Sequence, residues 1–212
     1  MPDLDTLLTS GAPPLIAILR GVVPQEARAI GTALVGAGVR AIEVPANSPN
    51  WLASVAALAP LGEQGVLVGG GTVLEAEMVA DLRAAGGRLV VAPDANPAVI
   101  AATLESGMDV LPGVMTPGEA LAACRAGARH LKVFPAGSLA RSHLAALASV
   151  LPSQTHLWAV GGVDADNAGD WIAAGARGVA LGSSLYRPGM TAEECAARAA
   201  TAVAALADAR PN

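Results

Sequence analysis

Aromatic residues are nearly missing from this sequence: three Trp, one Tyr and one Phe make up 2% of its 212 residues. Platforms on which nucleobases stack need such rings. The formal net charge of -5 and the absence of any Lys/Arg cluster remove the electrostatic footprint of a nucleic-acid partner as well. Cysteine is equally scarce. Cys124 and Cys195 lie far apart, and neither has a second Cys two or three residues away, so no metal or redox motif is present. Both are expected on helices as small apolar residues. No apolar run reaches the roughly 18 residues that a membrane span needs. The stretch from Met1 to Ser10 carries two Asp and no basic residue, the wrong charge for a secretory signal, which makes the cytoplasm the expected location. A small-molecule substrate fits what remains.

With 53% hydrophobic and 15% charged residues, the chain can bury a large core and is expected to form one domain over residues 1–212. Short apolar runs rich in β-branched residues recur at Leu15–Arg20, Ala41–Ala46, Leu67–Thr72, Leu89–Pro93, Asp109–Val114, His130–Pro135, His156–Gly162 and Gly178–Leu185. Their starts lie 20–26 residues apart, the length of one strand, one helix and two short loops. The Ala-rich stretches between them predict helices near Pro24–Gly38, Asn50–Ala59, Glu75–Ala85, Pro97–Ser106, Pro117–Ala126, Ala140–Val150, Asp166–Ala174 and Thr191–Ala207. Pro24, Pro97 and Pro117 suit first-turn positions, Thr116 and Asp164 are candidate N-caps, and Gly38, Gly86, Gly107, Gly127 and Gly175 mark left-handed C-caps. Eight βα units predict an α/β protein folded as a (β/α)8 TIM barrel. A doubly wound open sheet is the alternative, but it would leave two edges to protect, and none of these strands is polar enough to serve as one. Pro2–Ser10 reads as an extra helix within a lead-in of residues 1–12 that closes the N-terminal end.

The chemistry points first to Lys132. Twelve of the thirteen cationic residues are Arg, and Lys132 is the single Lys. It sits inside the apolar run Leu131-Lys132-Val133-Phe134-Pro135, where strand alternation sends Lys132 and Phe134 to one face and Leu131 and Val133 to the other. A solvated cation could equally be Arg, whereas only an amine condenses with a ketone to give an imine. Glu43 interrupts another strand, Ala41-Ile42-Glu43-Val44-Pro45, with the same pattern. A carboxylate in that barrel mouth could move protons; an ion pair with Arg20 is the other reading, and the two are compatible. Arg20 ends the first strand, where a guanidinium suits a substrate carboxylate or helps to depress the amine's pKa.

Two glycine turns offer an anion site: Val160-Gly161-Gly162-Val163 after the seventh strand and Leu181-Gly182-Ser183-Ser184 after the eighth. Barrel loops at those places often hold phosphate through backbone N–H groups, aided by a helix N-terminus. Thr72 ends the third strand, where its hydroxyl could bind a carboxylate or could cap a helix with Glu75 completing the box. His130, His143 and His156 lack metal-type spacing and read as structural.

These residues resemble the 2-keto-3-deoxy-6-phosphogluconate/galactonate aldolases over almost the full chain. The resemblance rests on Pro14–Gly21, Ile42-Glu43-Val44-Pro45 with Asn47-Ser48-Pro49, Gly71-Thr72-Val73-Leu74, Leu131–Pro135, Val160–Val163 and Gly182-Ser183 with Leu185-Tyr186. It implies a Schiff base on Lys132, proton shuttling by Glu43, substrate contacts from Arg20 and Thr72, and a pyruvate pocket lined by Pro93 and Phe134. The distal phosphate falls to Gly161, Gly162, Gly182 and Ser183. The galactonate branch is the nearer one: Asn47-Ser48-Pro49 follows Glu43 where gluconate-type members usually carry an Arg, and Val160 precedes the Gly-Gly turn where they usually carry Thr. No metal or organic cofactor is implied, and a homotrimer is. The alternatives are a gluconate or 4-hydroxy-2-oxoglutarate type of the same family, an enzyme for a non-phosphorylated keto-deoxy acid, an imine-free barrel isomerase or synthase, and a non-catalytic phosphosugar-binding barrel.

Overall fold

Short β-branched runs that alternate with Ala-rich segments can satisfy every strand edge only by closing on themselves, and this chain does so. A computed structural model describes residues 3–208. The strands are β1 (Leu15–Ile18), β2 (Ala41–Pro45), β3 (Leu67–Gly71), β4 (Leu89–Val91), β5 (Asp109–Leu111), β6 (Gly113–Val114), β7 (His130–Val133), β8 (His156–Val160) and β9 (Gly178–Leu181). All pair in parallel, in the order β5-β4-β3-β2-β1-β9-β8-β7-β6. The two ends of that order are one strand broken at Pro112, which has no N–H to donate to a ladder. Its carbonyl still accepts from Lys132, while Ala92 N–H donates to Leu111, so the ring closes into a (β/α)8 barrel.

The helices are α1 (Leu4–Thr9), α2 (Pro24–Gly36), α3 (Trp51–Leu58), α4 (Glu77–Ala84), α5 (Pro97–Glu105), α6 (Pro117–Arg125), α7 (Ser142–Ala148), α8 (Ala168–Ala173) and α9 (Ala192–Asp208). Strand alternation splits the core in two. Ile42, Val44, Leu131 and Val133 pack outward against helices, in the larger cluster. Ile16, Ile18, Ala41, Leu67, Leu89, Val91, Leu111, Trp158, Val160 and Ala180 fill the barrel, and Leu4 and Leu7 of α1 join them. The extra N-terminal helix therefore plugs the barrel's lower end; Pro2, where it was expected to begin, lies outside the described residues. Cys124 and Cys195 sit on α6 and α9, as expected. Among the described residues no helix is long and apolar enough to cross a membrane.

Caps fall mostly where the residue types place them. Thr116 and Glu119 form a full capping box at α6. All five expected C-cap glycines have positive φ, from 65 to 103°. Asp164 does not cap α8: Asn167 holds the N-cap position, and Asp164 Oδ1 instead accepts the N–H groups of Asp166 and Asn167 one turn earlier. Nor does Thr72 cap a helix. The chain passes through Thr72 with φ of 56°, and α4 begins only at Glu77.

Candidate active site

Burying an amine and a carboxylate in a barrel of aliphatic side chains is expensive, and this fold does both, on facing sides of one cavity. Lys132 is 7% exposed and Glu43 3%, each on the inward face of its strand. They line an opening of about 590 Å³ at the C-terminal end of the strands. Every residue singled out from the sequence lines it: Arg20, Glu43, Thr72, Pro93, Lys132, Phe134, Gly161, Gly162, Gly182 and Ser183. Ile18, Val160, Val163, Asp164, Ala180, Ser184 and Arg187 complete the wall.

The electrostatics match a proton-handling pair. Burial lowers the Lys132 pKa from its ordinary value, Arg20 adds to that, and Glu43 opposes it. Burial raises the Glu43 carboxyl to about 7 against the pull of Lys132 and Arg20. Glu43 is thus poised to exchange protons near neutrality, and the Lys132 amine gives up its proton more readily than an exposed lysine. Glu43 Oε2 is buried with no hydrogen-bond partner among the described residues, and no ion pair ties Glu43 to Arg20 or Lys132 there. The ion-pair reading of Glu43 gives way to a long-range charge effect. The Lys132 amine instead lies 4.5 Å from the centre of the Phe134 ring.

Neighbouring loops hold these groups in place. Gly71, paired with Pro45, leaves its side-chain position to Glu43: a β-carbon there would fall on the Glu43 carboxylate. The Asn47-Ser48 turn after β2 braces the end of β1, because Arg20 donates to Asn47 Oδ1 and Gly21 N–H donates to Ser48 Oγ at 2.9 Å. In the sequence the Asn47-Ser48-Pro49 turn reads as a segment without the Arg that gluconate-type members carry; in the structure its Asn47 is the partner of Arg20.

At the opposite wall two successive glycines, Gly161 and Gly162, have φ of 87 and 74°, a conformation closed to most residues. Their turn packs so closely on the β7 loop that a β-carbon on Gly137 would lie 3.1 Å from Gly162 Cα. Asn167 Nδ2 donates to the Gly162 carbonyl at 3.2 Å, and Ser184 Oγ ties the β9 loop to the Val163 carbonyl at 3.2 Å. The result is a rigid concave edge of backbone.

The His residues lie elsewhere. His143 bonds the Met115 carbonyl at 2.7 Å. His130 takes the Trp158 indole N–H at Nδ1 and faces Asp5 at the plugged end of the barrel, with His156 beside it. Arg187 escaped the sequence reading: one Arg among twelve carries no signal until the fold places it.

The family described as KDPG and KHG aldolase matches residues 8–201. The chain is similar to a Rhizobium meliloti (strain 1021) protein named "Probable 2-dehydro-3-deoxy-6-phosphogalactonate aldolase", with 47% identity over 91% of each chain. It is 44% identical to the Escherichia coli (strain K12) 2-dehydro-3-deoxy-6-phosphogalactonate aldolase, over 92% of this chain and 96% of that one. A solved structure described as "Native KDPGal structure" superposes with a TM-score of 0.90 at 44% identity, over 92% of this chain and 95% of that one.

Proposed function

The chain belongs to the KDPG and KHG aldolase family, and from that premise we propose that it is a class I aldolase cleaving 2-dehydro-3-deoxy-6-phosphogalactonate to pyruvate and glyceraldehyde 3-phosphate. The observation that carries this reading is the burial of the only Lys beside a carboxyl raised to about 7 in one cavity. The cycle opens when the neutral Lys132 amine adds to the C2 ketone. Glu43 delivers a proton to the departing hydroxyl, and loss of water leaves the iminium. Ionised Glu43 then takes the proton of the C4 hydroxyl. The C3–C4 bond breaks, its electron pair flows into the iminium, and glyceraldehyde 3-phosphate leaves. Glu43 returns the proton to C3 of the enamine, and water releases pyruvate and regenerates the amine.

Arg20 and Thr72 bind the substrate carboxylate in this scheme, and Pro93 and Phe134 form the pyruvate wall. The turns at Gly161-Gly162 and Gly182-Ser183 take the phosphate. Val160 is 2% exposed and forms part of the same wall. It has no hydrogen bond to offer a C4 hydroxyl, which favours the galactonate epimer read by shape. A homotrimeric, cytoplasmic enzyme completes the proposal. Pyruvate release from the two phosphorylated C4 epimers tests the substrate: the account predicts at least tenfold higher kcat/KM for the galactonate form. Equal or reversed preference would assign the chain to the gluconate or mixed type.

A further inference from the structure

The cavity's distal wall has a feature the glycine turns do not explain. Backbone N–H groups and helix N-termini offer only partial positive charge, and a phosphate held by them alone would sit in a half-enclosed site with no full counter-charge. Of the cavity's three cations, Lys132 lies buried among the strands, and Arg20 is directed to Asn47. The third is Arg187, four residues beyond Ser183 at the end of β9.

Its placement is built. Arg187 Nε donates to the Ser183 carbonyl at 2.8 Å, so the guanidinium is anchored by one nitrogen to the residue that opens the phosphate turn. Its two terminal nitrogens have no protein partner among the described residues. The next residue, Pro188, packs so tightly on Gly21 that a β-carbon there would lie 2.8 Å from Pro188 Cγ, which fixes the segment against the end of β1. Asp164, the acidic group on the same wall, does not neutralise it: Asp164 Oδ1 accepts two backbone N–H groups and forms no ion pair among the described residues.

Building on the proposed substrate, we infer that Arg187 supplies the charge of the distal phosphate site and is the residue that makes the enzyme prefer phosphorylated over unphosphorylated keto-deoxy sugar acids. A planar guanidinium held by Nε presents its remaining N–H groups as a fork matched to phosphate oxygens.

The test compares wild type, Arg187→Gln and Arg187→Lys on the phosphorylated substrate and its dephosphorylated counterpart, with inorganic phosphate as an inhibitor. The expected result for Arg187→Gln is a preference for the phosphorylated substrate that falls about 10- to 100-fold, carried by KM, with inhibition by inorganic phosphate weakened in parallel. Arg187→Lys should restore part of both. Equal losses on the two substrates, or unchanged inhibition by phosphate, would overturn the assignment. A wild type that shows no preference for the phosphorylated substrate contradicts the substrate reading instead, and phosphate inhibition then still reports on Arg187.

Discussion

At the scale of single residues, the strand period of two made the chemistry legible. A Lys and a Glu in otherwise apolar strands could point only inward or into a layer of packed helices, and only the inward face leads to a cavity. That reasoning reached Lys132 and Glu43 without any contact in view. It could not reach Gly71, whose role depends on what the neighbouring strand carries: Glu43 and Gly71 come together through β2–β3 pairing. The glycine works by lacking a side chain. Gly71→Ala should push the Glu43 carboxylate out of place and lower kcat by about 100-fold, the scale of a misplacement near 1 Å, with the fold retained by circular dichroism. A kcat within twofold of wild type would show that the carboxylate adapts, and that Gly71 does not position it. Thr72 misled for a related reason. Its sequence context fits a capping box, yet the backbone turns left-handed there, and no residue type announces that choice for a β-branched side chain.

At the scale of elements, existence and order were legible, because five of the helices (α2, α4, α5, α6 and α8) stop at a glycine and three (α2, α5 and α6) start at a proline. Ends were less so: α7 and α8 are each shorter than their Ala-rich stretches suggested, because an Ala-rich stretch carries no stop signal of its own. The plug formed by α1 was foreseen as an element but not in its anchoring. Leu4 N–H donates to Asp109 Oδ2 at 2.7 Å, and Asp5 meets Arg129 at 3.0 Å and His130 at 3.2 Å. Burial raises the Asp109 carboxyl to about 6, with Asp3 and Asp5 adding and the Leu4 bond opposing. Burial also lowers His130 to about 4, against the pull of Asp5.

The two groups oppose each other in their effect on stability. Asp109 holds its proton to higher pH in the folded chain than in the unfolded one. Its contribution is full below its ordinary value of 3.8 and is lost as pH rises through about 6. His130 contributes above its ordinary value of 6.5 and loses that contribution as pH falls through about 4. Asp109→Asn keeps an acceptor for Leu4 and removes one titration. The melting temperature of this variant relative to wild type should therefore climb between pH 4 and 6, every other group cancelling in the difference. A flat difference would mean that Asp109 ionises no less readily in the folded protein than in the unfolded chain.

At the scale of the whole molecule, eight βα units predicted a closed sheet, and closure is what gathers Arg20, Glu43, Thr72, Lys132 and the two glycine turns around one opening. The break at Pro112 and the bracing of Arg20 by Asn47 emerged only from the folded chain, because both depend on how the ends of neighbouring strands pair, which the apolar pattern does not specify. The central claim is that this barrel was shaped around an amine that forms an imine. Intact-mass measurement after incubation with pyruvate and borohydride tests it most directly, with Lys132→Arg as control. The account predicts a stable pyruvate-sized mass increase on wild type, mapping to Lys132 and missing from the variant. A folded wild type that gains no mass, or gains it equally in Lys132→Arg, would contradict the claim.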